Sequence, residues 1–526
     1  MSWANDRRLQ EFDSPDRRVG VLGIVSAFQD FRGLLKLRAF QLLALASWLI
    51  VLASIDFGAK LTVRDPDIWW HLKVGDWVVQ HHAVPHAGIF SRTAGNYPWV
   101  AYSWGYEVLL SYAYSWFGLV GFALFGVLLT TTVAFVLFWM LYRLCGEFWL
   151  AWILALAGSI AFVFSLLPRP VFVTMILFTV VLTFLLQAQR TGSMRLLWWL
   201  PAIFVLWANI HVQFVYGLFI VGLFVGINLL QRLASRTGIE PDFVLAPTLP
   251  LSGLMGVLLA CFAATFLGPY TYHLYQVVAA YSNSHVPYFM IEELAAFSFK
   301  SWTHYLLLLL TAAAFSAVGW QRKLDLFKLF LLIAASIITF RTARDAWFVS
   351  ICAVAFLADL RPREGASTPV LKLSELAAVG VVLAISMVLI ARNNDFNTRS
   401  LDRAVSSDYP VDAANFVRRY SFPGPLYNTL GWGGFLIWYM PQYPVAIDGR
   451  NDLYGDELDL HMHKSSLGEE SYKSDPYLND AGLVLLPREL PLAKLLTVDP
   501  KFRLVYQDRI AAVFIHNRAD SPEPQN

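Results

Sequence analysis

The sequence predicts a polytopic α-helical membrane protein of about eleven transmembrane helices with a small C-terminal α/β soluble domain. Three observations carry this. Of 526 residues, 57% are apolar and 15% are charged, against about 25% charged in soluble proteins. Apolar runs long enough to cross a hydrocarbon core about 30 Å thick recur along the first part of the chain. Lysine and arginine fall unevenly between alternate loops.

Taken in order, residues 1–38 form a polar, basic N-terminal segment. No small-residue cleavage pattern follows the first apolar run, so that run is expected to serve as its own signal-anchor. Spans are expected near 39–59, 118–141, 148–167, 171–188, 196–212, 214–231, 249–267, 302–320, 326–341, 345–360 and 374–391. With a cytoplasmic N-terminus, eighteen Lys and Arg fall inside and eight outside, as the positive-inside rule requires. The expected location is a bacterial inner membrane. Segments 60–104 and 268–301 are too polar to span and become outer loops around the 39–391 bundle.

Residues 392–526 then lie outside as a periplasmic domain. Val411–Tyr420 and Gly434–Met440 read as helices. Pro425–Tyr427, Val445–Asp448 and Leu483–Leu486 read as strands, and Leu504–Tyr506 with Ala511–Ile515 as a hairpin. The alternation of the two kinds predicts a largely parallel sheet. Cys145, Cys261 and Cys352 sit in or beside apolar runs without CxxC spacing and read as small buried hydrophobes. No basic cluster interleaved with aromatics supports nucleic-acid binding.

The densest polar signal is Arg64-Asp65-Pro66-Asp67-Ile68-Trp69-Trp70-His71. Pro66 keeps Asp65 out of helical geometry, so both carboxylates can face one concave site. Such a pair suits a divalent cation, Mg²⁺ or Mn²⁺, or divides proton transfer between its members. The flat faces of Trp69 and Trp70 suit a sugar ring. The same residues also read as an interfacial loop with a helix cap and belt tryptophans. His81, His82 and His86 follow without a carboxylate or thiolate at metal-ligand spacing.

Polar side chains in apolar spans are costly and become functional candidates. Arg169, Asn209, His211, Gln213, Arg341, Arg344 and Asp345 all fall near the expected outer face, where positive charge is scarce. An anionic ligand there would account for the arginines, because the guanidinium fork donates two hydrogen bonds to a phosphate. Internal ion pairs, such as Arg344 with Asp345 or Glu292, would account for them too. Glu292 and Glu293 in the second outer loop are further candidates. In the tail, Asp448 and Arg450 follow a strand, where binding crevices form in parallel sheets, or belong to a tight turn.

Asp65-Pro66-Asp67-Ile68-Trp69-Trp70-His71, with Gly75 and Pro85, resembles the first-loop signature of uncharacterised bacterial membrane proteins. These are grouped with the GT-C superfamily of polyprenyl-phosphate-sugar-dependent glycosyltransferases. Arg169-Pro170, Asn209-Ile210-His211, Gly268-Pro269-Tyr270, Arg341 and Arg344 fit the same pattern in the same order. So does Trp432-Gly433-Gly434 followed by Asp448-Gly449-Arg450.

The resemblance implies a GT-C-like fold, a polyprenyl-phosphate-linked sugar as donor, and Asp65 or Asp67 as general base, in some members with a divalent metal. Trp69-Trp70 is followed by His71, so the oligosaccharyltransferase-type Trp-Trp-Asp signature is absent and protein N-glycosylation is not expected.

The resulting expectation is inverting glycosyl transfer at the outer face to a glycan or protein acceptor. Asp65 or Asp67 takes the acceptor proton. Arg169 and Arg341, or a metal on the Asp pair, stabilise the leaving phosphate. Trp70, His71, Arg344, Asn209, His211, Glu292, Asp448 and Arg450 complete the expected substrate contacts. The competing expectation is a non-catalytic protein that binds, moves or scaffolds lipid-linked glycans. An ion-coupled transporter is disfavoured, since no inverted repeat is evident.

Overall fold

The computed structural model describes residues 37–163, 167, 169–238, 242–284, 294–360, 371–393 and 397–517. A helix answers every expected span, from Arg38–Ala59 to Leu373–Asn393. Among the described residues, six helices are long and apolar enough to cross a membrane: Arg38–Arg64, Trp104–Cys145, Val171–Thr191, Phe214–Arg236, Trp302–Gly319 and Leu373–Asn393. The rest are shorter. Leu251–Ala264, with 14 residues, rises about 21 Å, less than a bilayer core. Leu200–Ala208 stops where the Asn209 amide donates to the Val205 and Leu267 carbonyls, both at 2.8 Å.

Trp104–Cys145 starts well before the expected span at 118 and runs on through it. Its break at Gly118, φ 59°, uses a conformation glycine adopts without a Cβ penalty. The 60–104 segment is likewise more than a loop. Asp65 is extended, as Pro66 demands, and the helix Ile68–His81 follows at once. Ile68, Trp69, Leu72 and Val74 of that helix are fully buried. Gly75 lies so close to the Glu107 carbonyl that any Cβ would overlap it. The two helices therefore pack backbone to backbone.

The tail corrects two expectations. Strands β1 (Leu426–Asn428), β2 (Leu483–Pro487), β3 (Phe502–Gln507) and β4 (Ala511–His516) form one sheet in the order β1-β2-β4-β3. Only β1 and β2 are parallel; β2–β4 and β3–β4 are antiparallel. The link between β3 and β4 is too short for a parallel crossover. In it the Asp508 carboxylate accepts from the Ile510 and Ala511 amides, each at 2.8 Å.

Val445–Asp448 is buried as expected but is not a strand of this sheet. Its backbone is satisfied elsewhere. Val445 exchanges bonds with Phe90 and Arg92, at 3.0 and 2.9 Å. The Asn428 side chain takes the Ala446 amide and the Ile447 carbonyl, at 2.8 and 2.7 Å. The tail is thereby joined to the 60–104 segment. The helix Leu430–Tyr439 completes the junction, with the Cβ position of Gly434 only 2.5 Å from the Pro66 carbonyl oxygen. All three cysteines are free and buried.

Candidate active site

The junction borders a cavity of about 1090 Å³. One wall carries Asp67, Trp70, His71 and Arg169, closed by Gly449 and Asn451 of the tail. Another carries Lys300, His304 and Arg344. The two segments of this second wall are tied by the Ala343 amide donating to the Ala295 carbonyl at 2.9 Å. Tyr102, Tyr216, Tyr281, His211 and Gln213 also border the space.

On the acidic wall, one guanidinium holds both carboxylates. Arg169 Nε and Nη2 donate to Asp65 Oδ2 and Oδ1, each at 2.8 Å, and its Nη1 lies 3.0 Å from Asp67 Oδ2. The Asp67 amide donates to Asp65 Oδ1 at 3.1 Å, and Trp70 Nε1 to Asp67 Oδ1 at 3.3 Å. The two carboxylates differ in access: the Asp65 side chain is 0% exposed and that of Asp67 22%. Asp67, not Asp65, borders the cavity. Arg64 turns the other way and pairs with Asp408 at 3.3 Å.

Gly449 presses against this turn, and a Cβ there would overlap Asp67 Oδ1. Behind it, Arg450 is a bracket and not a ligand-binding cation. It donates to Asp448 through Nε and Nη2, at 2.8 and 2.7 Å, and to the Ile89 carbonyl at 2.8 Å. Its guanidinium also lies over the Trp99 ring, 4.8 Å from the centroid. The expected substrate role of Asp448 and Arg450 is therefore corrected: both are fully buried in each other, and they place Gly449 and Asn451.

His71 is four residues beyond Asp67 and shares its helix face. Its Nδ1 lies 2.9 Å from Glu107 Oε1, and both side chains are buried. Burial, then the Arg169 charge and His211, hold the imidazole well below its usual pKa. His211 borders the cavity with Nδ1 2.9 Å from the Thr174 hydroxyl.

Two more expectations are corrected. Asn209 spends its amide on the two carbonyls named above and accepts from Trp104 Nε1 at 3.2 Å, so it closes a helix end. Arg341, the last residue of Leu326–Arg341, is exposed and off the cavity, while Arg344 in the following turn borders it. Glu292 and Glu293 lie outside the described residues. His81 and His86 turn to Trp77 and Tyr270 and do not gather with His82.

Glu107, Tyr102, Tyr281, Lys300, His304 and Asn451 were not singled out from the sequence. Glu107, a charge at the head of a long apolar run, carried a usable signal; the tyrosines carried none.

The Asp65–Asp67 pair does not fit a divalent cation as arranged, because three of its four oxygens already hold Arg169 and the fourth accepts from Trp70 Nε1. Among the described residues no three His, Cys, Asp or Glu side chains gather to hold a metal.

No protein-family model matches the chain, and no curated protein matches it. Among solved structures, the archaeal oligosaccharyltransferase AglB from Archaeoglobus fulgidus, in complex with an inhibitory peptide and a dolichol-phosphate, matches with a TM-score of 0.50. The match has 12% identity and covers 84% of this chain and 69% of that one. ArnT from Cupriavidus metallidurans, bound to undecaprenyl phosphate, matches with a TM-score of 0.44 and 14% identity, over 91% and 99%. The likeness to AglB is one of fold.

Proposed function

We propose that this membrane protein transfers a sugar from a polyprenyl-phosphate donor to a hydroxyl of an envelope acceptor at the outer face of the inner membrane. The observation that carries the reading is one large cavity with an ion-paired carboxylate, Asp67, on one wall and Lys300, His304 and Arg344 on another. The fold shared with AglB, which was solved holding a dolichol-phosphate, supports the same donor class.

In this reading the acceptor hydroxyl lies beside Asp67, which Arg169 pairs, and gives its proton to a base on that wall as its oxygen attacks the anomeric carbon. The bond from that carbon to the phosphate oxygen breaks, and its electron pair stays with the polyprenyl phosphate. Arg344, Lys300 and His304 face the departing charge, the placement that stabilises a transition state most. Arg169 is committed to carboxylates and serves as the positioning cation. Asp65, sealed from the cavity, anchors Arg169.

A second reading, a protein that binds lipid-linked glycans without turning them over, is favoured by that same Arg169 clamp. Asp67→Asn separates the two. For a transferase, turnover of a polyprenyl-phosphate sugar falls about 100-fold or more, with donor affinity kept within a few-fold. Unchanged turnover, or loss of donor binding itself, contradicts the transferase reading.

A further inference from the structure

We infer that His71, oriented by Glu107, is the base that takes the acceptor proton. The inference rests on the transfer reading and deepens it.

Three groups on the acidic wall are candidates. Asp65 is sealed. Asp67 reaches the cavity, but Oδ2 is engaged by Arg169 and Oδ1 by Trp70. A proton arriving on Asp67 would break an ion pair at the moment the reaction needs it intact. His71 borders the same cavity, on the same helix face, with a different set of commitments.

Its Nδ1 is taken by Glu107 at 2.9 Å. With the Glu107 carboxylate accepting from Nδ1–H, the neutral ring must leave Nε2 as a bare acceptor. Nε2 makes no hydrogen bond among the described residues and is not among the sealed polar atoms, and His71 borders the cavity. The ring cannot swing. Trp70 lies against it with centroids 3.6 Å apart, Tyr106 meets it edge-on at 5.6 Å, and the side chain is 5% exposed. A base held in one tautomer by a third group is the general arrangement for activating a hydroxyl.

Burial and the neighbouring Arg169 charge keep the resting ring neutral. The charged or titratable groups facing it are Asp67, Arg169, Tyr106, Glu107 and His211.

The step balances without a co-reactant. The acceptor O–H proton passes to His71 Nε2. The acceptor oxygen forms its bond to the anomeric carbon as the carbon–phosphate oxygen bond breaks, and the polyprenyl phosphate carries away the electron pair. Glu107 and Asp67 flank the imidazolium until it returns the proton to water.

The test uses the full-length protein in lipid nanodiscs with polyprenyl-phosphate-glucose and related polyprenyl-phosphate hexoses as probes. In the ¹⁵N spectrum of histidine-labelled wild type, the signal absent from His71→Gln should report a neutral ring protonated at Nδ1. Glu107→Gln should disturb that tautomer. His71→Gln should release polyprenyl phosphate at least about 100-fold more slowly, bind polyprenyl phosphate as wild type does, and recover in part with added imidazole. A wild-type ring protonated at Nε2, or His71→Gln turning over within a few-fold of wild type, overturns the inference and leaves the transfer reading standing. A wild-type protein that releases polyprenyl phosphate from none of the probes overturns the transfer reading, and the inference with it.

Discussion

Two carboxylates two residues apart, one of them fully buried, repel unless a cation stands between them, and at the residue scale Arg169 is that cation. Breaking a buried pair from one side costs more than the pair contributes, because it strands the remaining charges. Arg169→Gln should therefore destabilise the protein by about 3–5 kcal/mol, and adding Asp65→Asn should recover part of the loss. Thermal unfolding in detergent checks both. Asp459 of the tail behaves oppositely. Burial first, and then Asp456, Asp448 and Asp452, push its carboxyl up to about 8 from an ordinary 3.8. The folded state then holds a proton that the unfolded chain releases, so this site stabilises less as pH rises from about 4 to about 8. Asp459→Asn should raise the unfolding temperature by several degrees at pH 8 and change little at pH 4, as a melting series across pH would show. Some of this wall could be read in the sequence. A charge near a lipid boundary needs a reason, which singled out Arg169, Arg341 and Arg344, and the paired spacing singled out Asp65 and Asp67. The sequence reading put Arg341 ahead of Arg344 for the phosphate, whereas Arg344 borders the cavity, because which one turns inward depends on where Leu326–Arg341 stops.

At the scale of elements, apolar runs made the helices legible, since a run of that length has few other uses. The sheet was less legible. Val445–Asp448 has a strand's composition, yet its hydrogen-bond partners are the Asn428 side chain and the backbone at Phe90 and Arg92, from distant parts of the chain. Local pattern carries no information about such partners. The same remoteness hid the role of Gly449, which brings the tail's backbone against Asp67. Gly449→Ala should slow transfer at least about tenfold by displacing Asp67, since a misplacement of about 1 Å can cost 100-fold. The unfolding temperature should stay within a few degrees. Transfer at the wild-type rate would mean that the tail does not set the carboxylate's position.

For the whole molecule, the bundle supplies Arg169, His211 and Arg344, the 60–104 segment supplies Asp67, Trp70 and His71, and the tail supplies Gly449 and Asn451. The site therefore exists only in the assembled chain, which explains why no single stretch of sequence displays it. The central claim is that acidic and cationic walls face each other across one donor head group. A structure of the full-length protein with polyprenyl phosphate bound tests this most directly. The account predicts the phosphate within hydrogen-bond distance of Arg344, Lys300 or His304, with the space beside Asp67 and His71 left for the sugar. A phosphate seated outside this cavity, out of reach of those three side chains, would contradict it.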